Sequence, residues 1–227
     1  MTYTSRNLQR ENDWDRWFWT GIFILFLFRL LYIAFFPYDL AGDETYYWDW
    51  GRHPGWGYFS KPPLIGWLMA FAGWAGRNSA FGIRVFAVLL GTGTLIFLFF
   101  LGRRMYNPKT AFWGVAAMAA CPGNGALNLL LTIDAPLLFF WSSSLYFFWQ
   151  FLTAERTKAA WGIPLIFSLG LGSLSKQMTL VFFVCGFFFL AASPQYRHLL
   201  KKPWICLGSL AALVFLVPPL YWNAKNN

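Results

Sequence analysis

The chain has 227 residues, of which 58% are hydrophobic, 22% are aromatic and only 12% are charged, with a formal net charge of +9. This composition excludes an ordinary soluble globular protein, because so many apolar side chains cannot all be buried away from water. The positive charge does not indicate a nucleic-acid partner, because the basic residues lie in short loops between apolar runs, where they set membrane orientation. We therefore interpret the chain as an all-α, polytopic integral membrane protein.

Apolar runs close to the 17 to 25 residues needed to cross a bilayer recur along the chain. They predict about seven transmembrane helices. These are Trp17–Phe36, Ala80–Leu101, a helix from Thr110 that is interrupted at Cys121-Pro122-Gly123, a helix from after Asp134 to Leu152, Ala159–Leu174, Met178–Ala192 and Trp204–Tyr221. The three cysteines, Cys121, Cys185 and Cys206, lack the spacing of metal ligands and are expected to be buried apolar residues.

Basic residues cluster in the loops at one end of the predicted helices, and the positive-inside rule makes that end cytoplasmic. The opposite, outer side then holds the long loop 37–79, the turns at Asp134 and Lys176, and the carboxyl terminus. The amino terminus is expected to be cytoplasmic. The basic loop residues are Arg6, Arg10, Arg16, Arg103, Arg104, Lys109, Arg156, Lys158, Arg197, Lys201 and Lys202.

The first outer loop contains two adjacent acids followed by aromatic residues. Asp43, Tyr46, Tyr47 and Trp50 recur at steps of three and four, which predicts a short helix lying in the membrane interface. On this helix Asp43 is expected to face a cavity, while Glu44, about 100° further round, points elsewhere. The alternative is that Asp43 caps the helix and Glu44 is a favourable first-turn acid.

Further along the loop, Lys61-Pro62-Pro63 holds an ammonium group ahead of the apolar run Leu64–Met69. The run is too short to span a membrane and predicts a second interfacial helix. A lysine fixed there is suited to neutralising a phosphate at the membrane surface, and snorkelling to ordinary lipid headgroups is the alternative. Asp134 is suited to capping the fourth helix, to binding a sugar hydroxyl or to tuning the pKa of the Asp43 carboxylate.

Arg84 and Lys176 are two more cations near the predicted outer face. Each alone is explained by snorkelling. Together with Lys61 they predict an anion site, because several cations on the outer side run against the positive-inside rule. Arg29, deep in the first helix, is expected to partner a buried carboxylate or carbonyl.

These residues resemble those of a known family, the integral-membrane, lipid-donor glycosyltransferases that include protein O-mannosyltransferases and the bacterial aminoarabinose transferases of lipid A. The resemblance extends over nearly the whole chain and implies the GT-C fold. Its motifs in this sequence are Asp43-Glu44, Tyr58-Phe59-Ser60-Lys61-Pro62-Pro63, Arg84, Asp134, Lys176 and the final segment Tyr221-Trp222-Asn223-Ala224-Lys225-Asn226-Asn227.

The resemblance implies transfer of a sugar from a polyprenyl phosphate to a lipid, glycan or protein acceptor at the outer face of a bacterial inner membrane. It implies catalytic roles for Asp43, Glu44 and Asp134, with Asp43 as the general base. It further implies donor-phosphate binding by Lys61, Arg84 and Lys176, and substrate binding by Tyr47 and Tyr58.

Two departures from the family pattern affect these expectations. Ser60 stands where the aminoarabinose branch carries a carboxylate associated with a metal, so no cofactor is assigned and a divalent metal stays open. Relatives continue with further helices and an outer soluble domain, which are expected to be absent from this chain; it is then a fragment, or incomplete as an enzyme. A transporter or flippase for a lipid-linked anion is the competing class, and a non-catalytic membrane subunit is a third.

Overall fold

The structure is a computed structural model that describes residues 3–35, 38–154 and 158–226, with side chains for 13–35, 38–154 and 160–226. Within these ranges it contains eleven α-helices, three short 3₁₀ helices and no β-strand, which confirms the all-α prediction. The α-helices are α1 (Tyr3–Phe35), α2 (Gly42–Arg52), α3 (Leu64–Ala75), α4 (Ala80–Met105), α5 (Pro108–Ala120), α6 (Pro122–Leu127), α7 (Asp134–Thr153), α8 (Lys158–Ser175), α9 (Leu180–Ala192), α10 (Pro203–Leu213) and α11 (Val217–Asn226). The 3₁₀ helices Gln177–Thr179, Arg197–Lys201 and Val214–Leu216 precede α9, α10 and α11.

In the part of the chain that the structure describes, three helical segments are long and apolar enough to cross a membrane by length and composition, namely Asp13–Phe35, Ala80–Met105 and Pro203–Asn226. Shorter apolar helices, of 10 to 17 residues, lie at Leu64–Ala75, Ala160–Ser175 and Gln177–Ala192. The total of about seven crossings therefore stays a prediction of the sequence.

Large apolar side chains cover the outward faces of several helices. Phe23 on α1 is 63% exposed, and Phe188 on α9 and Leu207 on α10 are each 64% exposed. Such surfaces are costly in water and are typical of helices that face hydrocarbon. All three cysteines are also exposed, which makes the expectation of burial wrong. The physical reason is that an apolar side chain in a membrane helix can face lipid without any cost of exposure to water.

The amino-terminal helix begins much earlier than predicted, at Tyr3 rather than Trp17. The apolar run marks where a helix enters hydrocarbon, whereas its internal hydrogen bonds continue just as well through polar sequence in water. In this extension Asp15 pairs with Arg103 at the end of α4, at 2.8 Å. Four positions used in the predictions lie outside the described residues, namely Phe36, Pro37 at the start of the outer loop, Arg156 and Asn227.

Proline positions account for two interruptions. The predicted interruption of the third helix at Cys121-Pro122-Gly123 is confirmed, because α5 ends at Ala120 and α6 begins at Pro122. The last predicted span is not one continuous α-helix, since a 3₁₀ turn at Val214–Leu216 separates α10 from α11. Pro218 and Pro219 lack the N–H groups that would bond four residues back in an α-helix.

The loop 38–79 is folded onto the amino-terminal ends of α4 and α7. Its helix α3 extends to Ala75, beyond the predicted run, and packs closely against α2. Glycine is needed at this contact, because a Cβ on Gly51 would lie 2.8 Å from the Ala70 nitrogen. The shared core contains Tyr47, Ile65, Met69, Ala72, Ile83, Ala87, Leu131 and Ile133. This packing gives the polar residues of the loop fixed positions.

Candidate functional site

Glu44 lies in the interior, with 0% of its surface exposed. Its carboxylate pairs with Arg84, with 2.8 Å between Oε2 and Nη2, and it accepts hydrogen bonds from the backbone N–H groups of Leu131 and Ala41, both at 3.1 Å. These three partners lie on α4, in the segment before α7 and at the start of α2 itself. By binding all three, the Glu44 carboxylate fixes the position of α2 in the fold. The sequence-based prediction that Glu44 points away from Asp43 matches this arrangement.

Every nitrogen of the Arg84 guanidinium group donates a hydrogen bond to another group of the protein. Nε lies 3.3 Å from both oxygens of Glu44, Nη1 donates to the carbonyl of Tyr38 at 2.8 Å, and Nη2 also donates to the carbonyl of Asp39 at 2.9 Å. The side chain is buried. A free phosphate would have to displace these acceptors, so the geometry favours a positioning role for Arg84 and Glu44. Their roles as phosphate ligand and catalytic acid stay predictions.

Asp43, Tyr47 and Asp134 come together where α2 meets the start of α7. Asp43 is exposed in the first turn of α2, and Tyr47, one turn later, is 5% exposed. Burial raises the pKa of the Tyr47 phenol, and the negative charges of Asp43 and Asp134 raise this pKa further, with a smaller contribution from Tyr46. The buried phenol is therefore a proton-bearing group beside two carboxylates.

Asp134 is the first residue of α7 and binds Lys176, with 2.8 Å between Oδ1 and Nζ. Both side chains are about one-third exposed. Next to this pair, the hydroxyl of Ser175 donates to the carbonyl of Ile133 at 2.9 Å. These two contacts join the end of α8 to the start of α7 and hold the Asp134 carboxylate near Tyr47.

Lys61 lies in a different environment from the other two predicted phosphate ligands. It is partly buried, and within the described residues its ammonium has no hydrogen-bond or ion-pair partner. It lines a cavity of about 110 Å³. The lining residues are Tyr58, Phe59, Ser60, Lys61, Pro62, Gln177, Leu216, Pro219, Leu220 and Asn223. Of the three predicted cations, Lys61 thus has its charge available to a ligand.

Tyr58 fixes the backbone that carries Lys61. Its ring stacks on Trp50 with a centroid separation of 4.4 Å, and its hydroxyl accepts from the N–H of Gly55 and donates to the carbonyl of Trp50, both at 3.1 Å. Burial raises the pKa of this phenol, and the hydrogen bond from Gly55 offsets part of that rise. The hydroxyl is occupied within the loop, and its predicted contact with substrate stays a prediction.

A second, larger cavity of about 640 Å³ lies among α7, α8, α9 and α10. Its lining is mainly apolar and includes Phe148, Leu169, Phe182 and Leu213. One turn after Leu213, Leu216 lines the Lys61 cavity. The end of α10 therefore borders the apolar cavity, and the 3₁₀ turn that follows it borders the cavity that contains Lys61.

No group of three His, Cys, Asp or Glu side chains suited to holding a metal is found among the described residues. Ser60 lines the Lys61 cavity at the position where a branch of the resembled family carries a carboxylate. A neutral hydroxyl is a poor substitute for a carboxylate as a ligand of a hard divalent cation. The residues present do not fit a metal site there, and we derive no step through one.

Two polar residues that line the cavity, Gln177 and Asn223, were given no role from the sequence, although Asn223 lies in the final segment that carries part of the family resemblance. Both line the Lys61 cavity, although neither is charged. A signal was available, because Gln177 directly follows Lys176 and Asn223 follows the last apolar run on the same predicted outer side. The predicted anion site was built from charged residues only, so these two neutral side chains were left out of it.

The fold and this site define a class, the polytopic membrane proteins with the GT-C fold. The chain superposes on the crystal structure of ArnT from Cupriavidus metallidurans in the apo state with a TM-score of 0.70. The two are 21% identical, and the match covers 92% of this chain and 42% of ArnT. This likeness confirms the predicted fold.

Residues 60–222, more than two-thirds of the chain, match the model of the dolichyl-phosphate-mannose-protein mannosyltransferase family, and the chain belongs to that family. The lipid A galacturonosyltransferase RgtD of Rhizobium johnstonii is 28% identical over 204 residues, which are 88% of this chain and 42% of RgtD. The chain therefore spans about two-fifths of the length of both of these relatives.

Proposed function

We propose that the protein acts in glycosyl transfer from a polyprenyl-phosphate sugar to a lipid, glycan or protein acceptor at the outer face of a bacterial inner membrane. The observation that carries the proposal is the unpaired Lys61 in its cavity, together with an apolar cavity lined by Leu213, one turn before Leu216 of the Lys61 cavity. A lipid-linked phosphate has the matching chemistry, with an anion to neutralise and a hydrocarbon chain to bury. Membership of the mannosyltransferase family supports the reaction class.

In the proposed reaction an oxygen of the acceptor attacks the anomeric carbon of the sugar, and the bond between that carbon and the phosphate oxygen breaks. The polyprenyl phosphate leaves with the bonding electrons, and Lys61 stabilises its negative charge. Asp43, exposed at the start of α2, takes the proton of an acceptor hydroxyl. Where the acceptor is itself an ionised phosphate, no proton need be removed and Asp43 positions the acceptor.

Asp134 and Lys176 have a coupled part in this proposal. Because they pair at 2.8 Å, Asp134 reduces the positive charge of Lys176, and Lys176 holds the Asp134 carboxylate in place. Asp134 then orients donor or acceptor hydroxyl groups. The phenol of Tyr47, whose pKa is raised by burial and by the charges of Asp43 and Asp134, keeps its proton and is a hydrogen-bond donor for the substrate. Lys61 is left as the main source of charge for the phosphate.

The relatives supply the acceptors and sugars to test first. RgtD is named for galacturonosyl transfer to lipid A, and the family model for mannosyl transfer to protein. RgtD matches 88% of this chain, so lipid A is the first acceptor to test and a protein the second.

The test uses membranes that contain the protein, with lipid A or a mixture of outer-face proteins as acceptor and labelled polyprenyl-phosphate galacturonic acid or mannose as donor. Label that appears in an acceptor with the wild type, and falls at least tenfold with Lys61→Met, supports the proposal. Label that crosses the membrane on its carrier without entering an acceptor indicates the competing class, a flippase. Equal transfer by Lys61→Met and wild type would contradict the role given to the cavity.

A further inference from the structure

Besides the ammonium and the hydroxyl of Tyr58, which is already hydrogen-bonded within the loop, the side chains that line the Lys61 cavity carry three polar groups. They are the hydroxyl of Ser60 and the side-chain amides of Gln177 and Asn223. Neither amide has a hydrogen-bond partner within the described residues. Each amide offers two N–H donors, so the cavity contains one positive charge and several uncommitted neutral donors.

The cavity has room for one compact anionic group. Its volume of about 110 Å³ is several times the ~10–15 Å³ that a single water molecule requires. A phosphate group fits this space, while the sugar and lipid attached to it would extend through the open side. Because a sugar phosphodiester carries a single negative charge, one lysine balances that charge and neutral donors complete its hydrogen bonding.

Both amides are held in place by backbone structure and not by flexible loops. Gln177 begins the 3₁₀ turn that follows Lys176, where the N–H of Thr179 bonds to the carbonyl of Lys176 at 3.0 Å. Asn223 lies in α11, next to Trp222, whose ring packs directly on Gly57. A Cβ on Gly57 would lie 3.0 Å from that ring. The absence of a side chain at Gly57 thus lets α11 approach the loop that carries Lys61.

We infer that Gln177 and Asn223 are the neutral donors of a phosphate site centred on Lys61, and that α11 closes this site by bringing Asn223 against the outer loop. The inference rests on the proposed function for the identity of the anion, a lipid-linked phosphate. The inference adds two residues to those that bind the donor, one in the 3₁₀ helix before α9 and one in α11. Both are positioned to bind its phosphate oxygens without adding charge.

The test is equilibrium binding of undecaprenyl phosphate to the purified protein in detergent, with undecaprenol and inorganic phosphate as separate probes. Binding does not require turnover, so it separates this inference from the proposed reaction. We expect Asn223→Asp and Gln177→Glu each to weaken binding about 10- to 100-fold at pH 8, because a carboxylate replaces a donor with a negative charge. Binding of inorganic phosphate with the same dependence would show that the site recognises phosphate alone.

The matched control is Asn226→Asp, which makes the same change on the same helix. Asn226 is exposed, its amide donates to the carbonyl of Trp222 at 2.8 Å, and it does not line the cavity. The affinity of the Asn226→Asp variant for undecaprenyl phosphate should stay within twofold of that of the wild type. The neutral variants Asn223→Leu and Gln177→Met, which remove the donors without adding charge, serve where an acidic variant does not insert stably, and should weaken binding about tenfold.

A pH series tests direct contact. Relative to wild type at the same pH, binding by Asn223→Asp should recover as pH falls from 6 to about 3, through the ordinary aspartate pKa of about 3.9, because the protonated carboxyl is neutral and again donates a hydrogen bond. If both amide variants bind like wild type while Lys61→Met does not bind, the inference is overturned and the phosphate role of Lys61 survives. If Lys61→Met also binds like wild type, the role of the cavity in the proposed function fails as well.

Discussion

Replacing Arg84 by methionine should destabilise the protein strongly, because it leaves the carboxylate of Glu44 buried without its cation. Glu44 is fully inaccessible and would keep only the two backbone N–H groups of Leu131 and Ala41 as partners. Removing one member of a buried ion pair typically costs about 3–5 kcal/mol. Arg84→Lys should also be costly, because one ammonium cannot replace three nitrogens that reach Glu44, Tyr38 and Asp39.

The measurement is the free energy of unfolding in detergent micelles, by denaturant titration. The double variant Arg84→Met/Glu44→Gln should be about 2 kcal/mol more stable than Arg84→Met, because the amide oxygen still accepts from Leu131 while no charge is buried. The exposed pair Arg52 and Asp49, 3.6 Å apart, supplies the control. Arg52→Met should change the free energy by less than about 1 kcal/mol.

Two results would refute this reasoning. If Arg84→Met lowers the free energy of unfolding by less than about 1 kcal/mol, then water or another group already solvates Glu44. Equal stability of the single and double variants would mean that the charge of Glu44 is not the source of the cost. If Arg84 instead binds the donor phosphate, Arg84→Met should lower affinity for undecaprenyl phosphate while the free energy of unfolding stays close to that of wild type.

Three further predictions concern the loop and its helices. Asp43→Asn should lower sugar transfer at least 100-fold to a hydroxyl acceptor, with little change in thermal stability, because Asp43 is the proposed base and its side chain is exposed. The same variant should lower the pKa of Tyr47, because it removes a negative charge that raises this pKa. The pKa of Tyr47 is measured as the difference between the ultraviolet titrations of proteins with and without Tyr47→Phe, in the wild-type and in the Asp43→Asn background. Since the folded state holds this phenolic proton more tightly than the unfolded state, folding stability should fall as pH rises through about 10 towards the folded pKa. Gly66→Ala should destabilise by about 1–3 kcal/mol in a thermal assay, because the new Cβ would lie 2.3 Å from the hydroxyl of Tyr58, whereas Gly114→Ala, with no neighbour within 4 Å, should be neutral or stabilising.

Each of these predictions has a contrary outcome. Full transfer by stably inserted Asp43→Asn would remove Asp43 from the base role. An unchanged Tyr47 titration would mean that solvent screens the neighbouring carboxylate. Equal stability of the two glycine variants would mean that the Tyr58 ring can move aside.

The approximate position of most helices was predictable from the sequence, because a bilayer sets the length of an apolar run and proline interrupts backbone hydrogen bonding locally. The break at Pro122 and the helix that begins near Asp43 follow from such local rules. The start of α1 at Tyr3 and the interruption before α11 were missed, since hydropathy reports the solvent around a helix and not where its hydrogen bonds end.

The sequence also placed the charged residues of the site on one side of the predicted membrane, but it left their pairing open. Arg84, Lys176 and Lys61 looked alike as cations, and which of them is free depends on contacts between distant segments. Tertiary packing joins Glu44 to Arg84 across 40 residues and Asp134 to Lys176 across 42 residues. Those pairings use up two cations and leave Lys61 facing a cavity beside Gln177 and Asn223. Residue type determined that charge would be present, and only the three-dimensional approach of separate helices decided where that charge stays available to a ligand.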